Sequence, residues 1–151
     1  MGHRLTKWDD RFLRIVSEIL TWSKDPSTKH ACVIVRPDRS IVSYGYNCFP
    51  AGIEDTHERW QHRPTKYELV VHSETNALLH AQESVRGYTA YCDTVPCCRC
   101  AVNLIQAGIY RVICMTPSED YLSRWGDSVQ QTLDLFEEAQ VKCYWEGRDD
   151  V

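Results

Sequence analysis

The 151-residue chain predicts an α/β fold, a three-layer α/β/α sandwich around a central mixed five-stranded sheet. Three observations predict it. Five short runs are rich in β-branched and apolar residues. Apolar residues recur at helical spacing before and between these runs. The first two runs are joined by a four-residue turn and read as a hairpin, whereas the later ones alternate with helices.

Thr6-Lys7-Trp8-Asp9 has the form of a capping box and opens the first helix. Trp8, Phe12, Ile15, Val16, Ile19, Leu20 and Trp22 form its apolar stripe, and Asp25-Pro26-Ser27 ends it. Residues 31–35, ACVIV, make a buried strand. Pro37-Asp38-Arg39-Ser40 turns the chain, and residues 41–46 return as the second strand. Residues 47–71 hold Pro50, Gly52 and Pro64 with no clean period, and read as a long irregular segment. A helix is expected from His72 to about Ser84, then a strand at 89–92. Pro96 precedes a helix over residues 97–107, which Gly108 stops as a C′ residue. A fourth strand over 110–115, a helix over about 128–139 and a fifth strand over 141–145 complete one domain spanning 1–151.

Composition is that of a soluble globular chain, 43% hydrophobic and 25% charged. A net charge of -4 argues against a nucleic-acid polymer as partner, because phosphate binding usually shows as a basic face. A single nucleotide needs only a few local cations. No apolar run of about 18 residues predicts a membrane span. Residues 1–10 lack the apolar centre of a signal peptide. Of eight cysteines, Cys97 and Cys100 have metal spacing. Cys32, Cys92, Cys114 and Cys143 lie in apolar runs and read as buried free thiols of a cytoplasmic protein.

His72-Ser73-Glu74, followed by Pro96-Cys97-Cys98-Arg99-Cys100, offers one imidazole and two thiolates to a zinc ion, with a carboxylate beside it. Three protein ligands leave a fourth tetrahedral position for water, as catalytic zinc sites do. Zinc lowers the pKa of that water toward neutrality, and Glu74, two residues from a ligand, is a candidate to take a proton from it. Cys97 and Cys100, three apart, share one helical face. A fourth protein ligand would make the site structural. Cys98 is the obvious candidate, but it points about 100° away from Cys97.

These residues carry the signature of zinc-dependent nucleobase deaminases, and the chain resembles the deoxycytidylate (dCMP) deaminases within the cytidine deaminase superfamily. Beyond the zinc motif, the resemblance rests on Ser23-Lys24-Asp25-Pro26-Ser27-Thr28-Lys29 leading into ACVIV, on Gly45-Tyr46-Asn47-Cys48-Phe49-Pro50, on His72-Ser73-Glu74-Thr75-Asn76-Ala77, and on Ile105-Gln106-Ala107-Gly108-Ile109 with Arg111-Val112. It covers about residues 6–145. It implies a cytidine deaminase-like fold, zinc bound by His72, Cys97 and Cys100, and hydrolysis of dCMP to dUMP and ammonia with Glu74 as proton carrier, supplying dUMP for dTTP synthesis. It further implies a homohexamer activated by dCTP and inhibited by dTTP, with Mg2+ accompanying the triphosphate. Gly45, Tyr46, Asn47 and Cys48 then belong to the effector site, and Asn47 also lies close to substrate. Cys48 replaces the motif's last glycine; if that glycine uses positive φ, Cys48 costs about 1 kcal/mol or more.

Other candidates follow. Ser27 and Lys29 are expected to hold the 5′-phosphate, or simply to be solvated. Tyr121, in a loop after the fourth strand, is expected to stack on the base, with Trp125 as substitute. Arg59, with His62, Arg63 and Lys66, forms a basic cluster that is either solvated or meets an effector triphosphate. His30 and His80 read as packing or surface residues. The rival functions are deamination of another cytosine nucleotide or of a polynucleotide base, and an inactive fold that senses nucleotides.

Overall fold

The computed structural model describes residues 2 and 4–148; Met1 and His3, part of the stretch read for a signal peptide, lie outside them, as do residues 149–151. Helix α1 (Lys7–Leu20) opens with the capping box foreseen, Thr6 Oγ1 accepting from the Asp9 amide and Asp9 from the Thr6 amide. Strands β1 (Ala31–Val35) and β2 (Ile41–Tyr46) pair antiparallel. Two short helices follow, α2 (His57–Gln61) and α3 (Arg63–Leu69), then α4 (Ser73–His80). The order continues as β3 (Thr89–Cys92), α5 (Cys98–Ala107), β4 (Arg111–Cys114), α6 (Glu119–Glu138) and β5 (Lys142–Tyr144).

The sheet runs β2-β1-β3-β4-β5. β1 is antiparallel to both neighbours, while β3, β4 and β5 are mutually parallel, joined by α5 and α6. Parallel neighbours need such helical crossovers, so the mixed sheet follows from the hairpin-then-helix order of the sequence. β1 is buried on both faces because alternate residues serve two cores. Ala31, Val33 and Val35 pack with Phe12, Leu13, Val16 and Ile19 of α1. Cys32 and Ile34 pack on the other side with Ala77 of α4, Leu104 of α5 and Phe136 of α6. Cys32, Cys92, Cys114 and Cys143 are all buried free thiols of this second core.

Several elements differ from the sequence-based expectation. Residues 47–71 are not irregular throughout. Thr56 caps α2 and the His62 side chain caps α3, while Pro64 sits in the first turn of α3, where no amide donor is needed. Helices of five and seven residues are too short to show a period. Helix α4 ends at His80, not near Ser84, because Ala81 turns extended and the chain carries Glu83 to Arg36 and Tyr88. Helix α6 starts at Glu119, nine residues earlier than expected. Ser118 caps it, and Gly126 stands in open space, so a mid-helix glycine costs only its propensity. β4 and β5 are each one residue shorter at both ends than expected.

Among the described residues, no helix is long and apolar enough to cross a membrane. Gly45 is required by close approach. A Cβ there would lie 2.3 Å from the Ser73 carbonyl oxygen and 2.5 Å from the Ala77 amide nitrogen, so β2 lies directly against the start of α4.

A candidate zinc active site at one end of the sheet

The antiparallel and parallel pairings bring the start of β1, the end of β2 and the end of β3 to the same end of the sheet. His30, Asn47 and Asp93, and then Pro96 and Cys97, therefore share one rim. Pockets in open α/β sheets form at the carboxyl ends of the parallel strands.

His72 and Cys97 are the N-cap residues of α4 and α5, and neither side chain makes a capping hydrogen bond. N-caps normally hold Ser, Thr, Asp or Asn for that bond. Here the local rule is set aside, and both side chains are free to turn toward each other. His72 Nδ1 lies 3.6 Å from Cys97 Sγ and 3.3 Å from Cys100 Sγ. All three ligand atoms lie within 4.8 Å of one another. Tetrahedral zinc with ordinary Zn–N and Zn–S lengths would set its N and S ligands about 3.6 Å apart, so the residues fit the ion. Cys100 is buried, whereas His72 and Cys97 are exposed, so the cluster opens to solvent on one side. Cys98 is not part of the cluster, as its helical direction predicts.

The electrostatics suit a divalent cation. Hydrogen bonds from Cys100 and His72 hold the Cys97 thiol down at about 3. The same thiolate pushes the Cys100 thiol up and, by accepting from His72, raises that imidazole. The three groups thus share protons that a metal would displace. Glu74, in the first turn of α4, is 6% exposed and accepts from Ser73 Oγ at 3.1 Å. Burial pushes its carboxyl group up.

The remaining candidates divide. Tyr121 is in the first turn of α6 rather than in a loop, half-buried, and within electrostatic reach of Asp93, Glu74 and Cys97. Trp125, one helical turn on, is 55% exposed. Asn47 is 4% exposed, and its polar groups already serve the protein. It donates to Asp25 Oδ2 at 3.2 Å and Thr28 O at 2.9 Å, and accepts from the His30 amide at 2.8 Å. Ser27 is exposed on the rim. The Lys29 ammonium turns back to the Ser23 carbonyl oxygen, and the Arg59 guanidinium bonds the Glu54 carbonyl oxygen at 2.9 Å. Tyr46 faces Trp22 edge-on. Cys48 does not have positive φ; it bridges to Val71 and its thiol accepts from Asn76, so the expected strain is absent.

Three groups near the rim escaped the sequence reading. Asp25, taken only as a helix breaker, is 3% exposed and accepts from the Ser27 and Thr28 amides at 2.8 and 3.2 Å. Lys66, read within a solvated basic cluster, binds the same carboxylate at 2.9 Å with a side chain only 13% exposed. The Asp-x-Ser turn signature was available for the first half of this. Nothing local announces the second, 41 residues away. His30 is likewise not a bland packing residue. Its Nδ1 lies 2.8 Å from Asp93 Oδ2, while Asp93 Oδ1 accepts from the Ala31 amide at 2.9 Å. Burial works against the charged imidazole, but Asp93 outweighs it and the His30 pKa is raised.

The family model for the cytidine and deoxycytidylate deaminase zinc-binding region matches residues 6–116. This chain belongs to the cytidine and deoxycytidylate deaminase family. An uncharacterized deaminase from the luxG 3′ region of Aliivibrio fischeri is 39% identical over 141 residues, covering 93% of this chain and 95% of its own length. A probable deoxycytidylate deaminase of Caenorhabditis elegans is 41% identical over 110 residues, and the human deoxycytidylate deaminase 34% over 116. The matches cover 70% and 73% of this chain but only 56% and 65% of those relatives. A crystal structure of dCMP deaminase from the cyanophage S-TIM5, in complex with dCMP and dUMP, superposes with a TM-score of 0.74. It is 21% identical and covers 95% of this chain and 99% of its own. The deaminase fold expected from the sequence is the fold observed.

Proposed function

We propose that this deaminase converts dCMP to dUMP and ammonia by zinc-dependent hydrolysis. The observation that carries the reading is the convergence of His72, Cys97 and Cys100 on one metal-sized position, with buried Glu74 two residues from a ligand. Zinc held there would supply Lewis acidity and an acidified water. Glu74 accepts a proton from the attacking water and passes it to the ring nitrogen beside the reacting carbon. It then takes the remaining proton of the added hydroxyl and passes it to the amine, which leaves as ammonia as the carbonyl forms. Its position in the first turn of α4 fixes it to the helix that also holds His72. Tyr121, within electrostatic reach of Glu74 and Cys97, is in this reading the surface on which the base stacks, a contact worth about 1–3 kcal/mol. Choice of a deoxycytidine monophosphate rests on the deoxycytidylate deaminases among the relatives.

The reading extends to a cytoplasmic homohexamer that supplies dUMP for dTTP synthesis, activated by dCTP with Mg2+ and inhibited by dTTP. Ser27 on the rim is the phosphate contact in this reading. The test is turnover of dCMP, deoxycytidine and dCTP by zinc-loaded protein, each with and without dTTP, beside light scattering with dCTP. Selective turnover of dCMP supports the substrate. Preference for deoxycytidine or dCTP would reject it.

A further inference from the structure

At the rim, within electrostatic reach of Glu74, stands a pair that the proposed reaction does not use. His30 immediately precedes β1 and Asp93 immediately follows β3, and register places these ends side by side. Both oxygens of Asp93 are assigned: Oδ2 to His30 Nδ1 at 2.8 Å and Oδ1 to the Ala31 amide at 2.9 Å. The backbone of His30 is fixed in turn, since its amide donates to Asn47 Oδ1. A carboxylate only accepts, so Nδ1 carries a proton, and the Asp93 carboxylate favours the charged ring, in which Nε2 carries one as well. The other nitrogen, Nε2, lies on the opposite side of the ring and points away from Asp93. The His30 side chain is 35% exposed, and it lies within electrostatic reach of Glu74, His72 and Asp25. A partly exposed imidazole held by a carboxylate that the Ala31 amide fixes in turn, within electrostatic reach of the proposed proton carrier, is the arrangement of a preorganised donor.

The other cations expected at the rim are turned inward, Lys29 to the Ser23 carbonyl and Lys66 to Asp25. Of these three groups, His30 is the one that keeps a nitrogen not taken up by its carboxylate partner, within electrostatic reach of Glu74.

We propose that His30, oriented by Asp93, is a specificity-determining residue whose Nε2–H donates to an oxygen of the nucleoside part of the substrate. Because Glu74 must reach the reacting ring, whatever meets His30 lies near that ring and not at the phosphate. Asp93 acts through His30 and is a positioning residue.

This inference rests on the dCMP reading, and the experiment separates the two. Binding of dUMP and of deoxyuridine, the product with and without phosphate, is measured by calorimetry on zinc-loaded wild type, His30→Ala, His30→Gln and Asp93→Asn. Turnover of dCMP by wild type is followed in parallel. Loss of one charge-assisted hydrogen bond predicts that His30→Ala weakens both ligands equally, by about 10-fold or more. His30→Gln, which keeps a donor, recovers part of the loss, and Asp93→Asn falls between. Zinc content stays at the wild-type value, His30→Ala lowers Tm because Asp93, 8% exposed at its side chain, loses its partner, and dUMP shifts the His30 ring resonances. Binding by His30→Ala within twofold of wild type overturns the assignment. So does a loss confined to dUMP, which would move the contact to the phosphate, or a loss matched by loss of zinc. Failure of wild type to bind either ligand also overturns it. Wild type that binds dUMP but does not turn over dCMP sinks the deamination reading alone.

Discussion

Replacing Asp25 with Ala removes the carboxylate that ties the rim together. Asp25 accepts four hydrogen bonds, from the Ser27 and Thr28 amides, Asn47 Nδ2 and Lys66 Nζ, between 2.8 and 3.2 Å. Its partner Lys66 is 13% exposed at the side chain and would be left as a largely buried, unpaired ammonium. Breaking a buried pair from one side costs about 3–5 kcal/mol. For a chain of this size that lowers Tm by roughly 6–20 °C. The assay is urea unfolding of the zinc-loaded protein, run as a cycle with Lys66→Met and the double variant. Lys66→Met alone is milder, because Asp25 keeps its amide donors. The double variant recovers part of the Asp25→Ala loss, giving a coupling of about 1 kcal/mol or more. pH adds a second signature. Burial raises the Asp25 pKa, but the Ser27, Thr28 and Lys66 bonds outweigh it and hold it below 3.8. A depressed folded value means the contribution is full above 3.8 and is lost as pH falls through the folded value. Asp25→Ala should therefore have a flatter acid limb than wild type. A loss under about 1 kcal/mol with no coupling would refute the account of the rim.

Gly45→Ala should drive α4 off β2, since its Cβ would sit 2.3 Å from the Ser73 carbonyl oxygen. A destabilisation of about 1–3 kcal/mol and a reduced zinc content by atomic absorption are expected, and a fully loaded variant with unchanged Tm would contradict it. Glu74→Gln keeps zinc but lowers kcat by about 10²–10⁴, and near-normal turnover would remove Glu74 from the proton path. Cys100→Ser loses the ion while Cys98→Ser keeps it, read from cobalt absorption of the substituted protein; the reverse order would misplace the site. Tyr121→Ala raises the KM for dCMP by about 5- to 150-fold if the ring stacks on the base, and an unchanged KM would put the ring outside the pocket.

The strands and the zinc cluster were legible because their signals are local. The ACVIV run is β-branched and closed by a turn, and it is β1 to the residue. Cys97 and Cys100 have a spacing that helix geometry converts directly into proximity, and the motif links them to His72 at the start of another helix. Gly108 marks the end of α5 and takes the left-handed conformation expected of it, φ 86°. The illegible parts depend on distant partners or on short elements. Helices α2 and α3 are too brief for periodicity. They stay in place through packing such as the Phe49–Trp60 stack, with centroids 3.9 Å apart. Residues 119–127, polar and broken by Gly126, show no apolar stripe, yet Ser118 starts α6 there. Lys66 and Asp25 are 41 residues apart and meet only through the placement of α3 against the rim loop, and His30 and Asp93, 63 apart, meet only through the β1–β3 register. Asn47, expected to lie close to substrate, has an amide that also ties His30, Asp25 and Thr28 together, a set of contacts no local signal announces.

The most direct test follows loss of the cytosine chromophore with zinc-loaded wild type and Glu74→Gln, offered dCMP, deoxycytidine, dCTP and a short single-stranded oligonucleotide. The account predicts that wild type converts dCMP in preference to the others and that Glu74→Gln, still holding its zinc, does not. Conversion of the oligonucleotide or nucleoside in preference to dCMP, or equal rates for the two proteins, would contradict it.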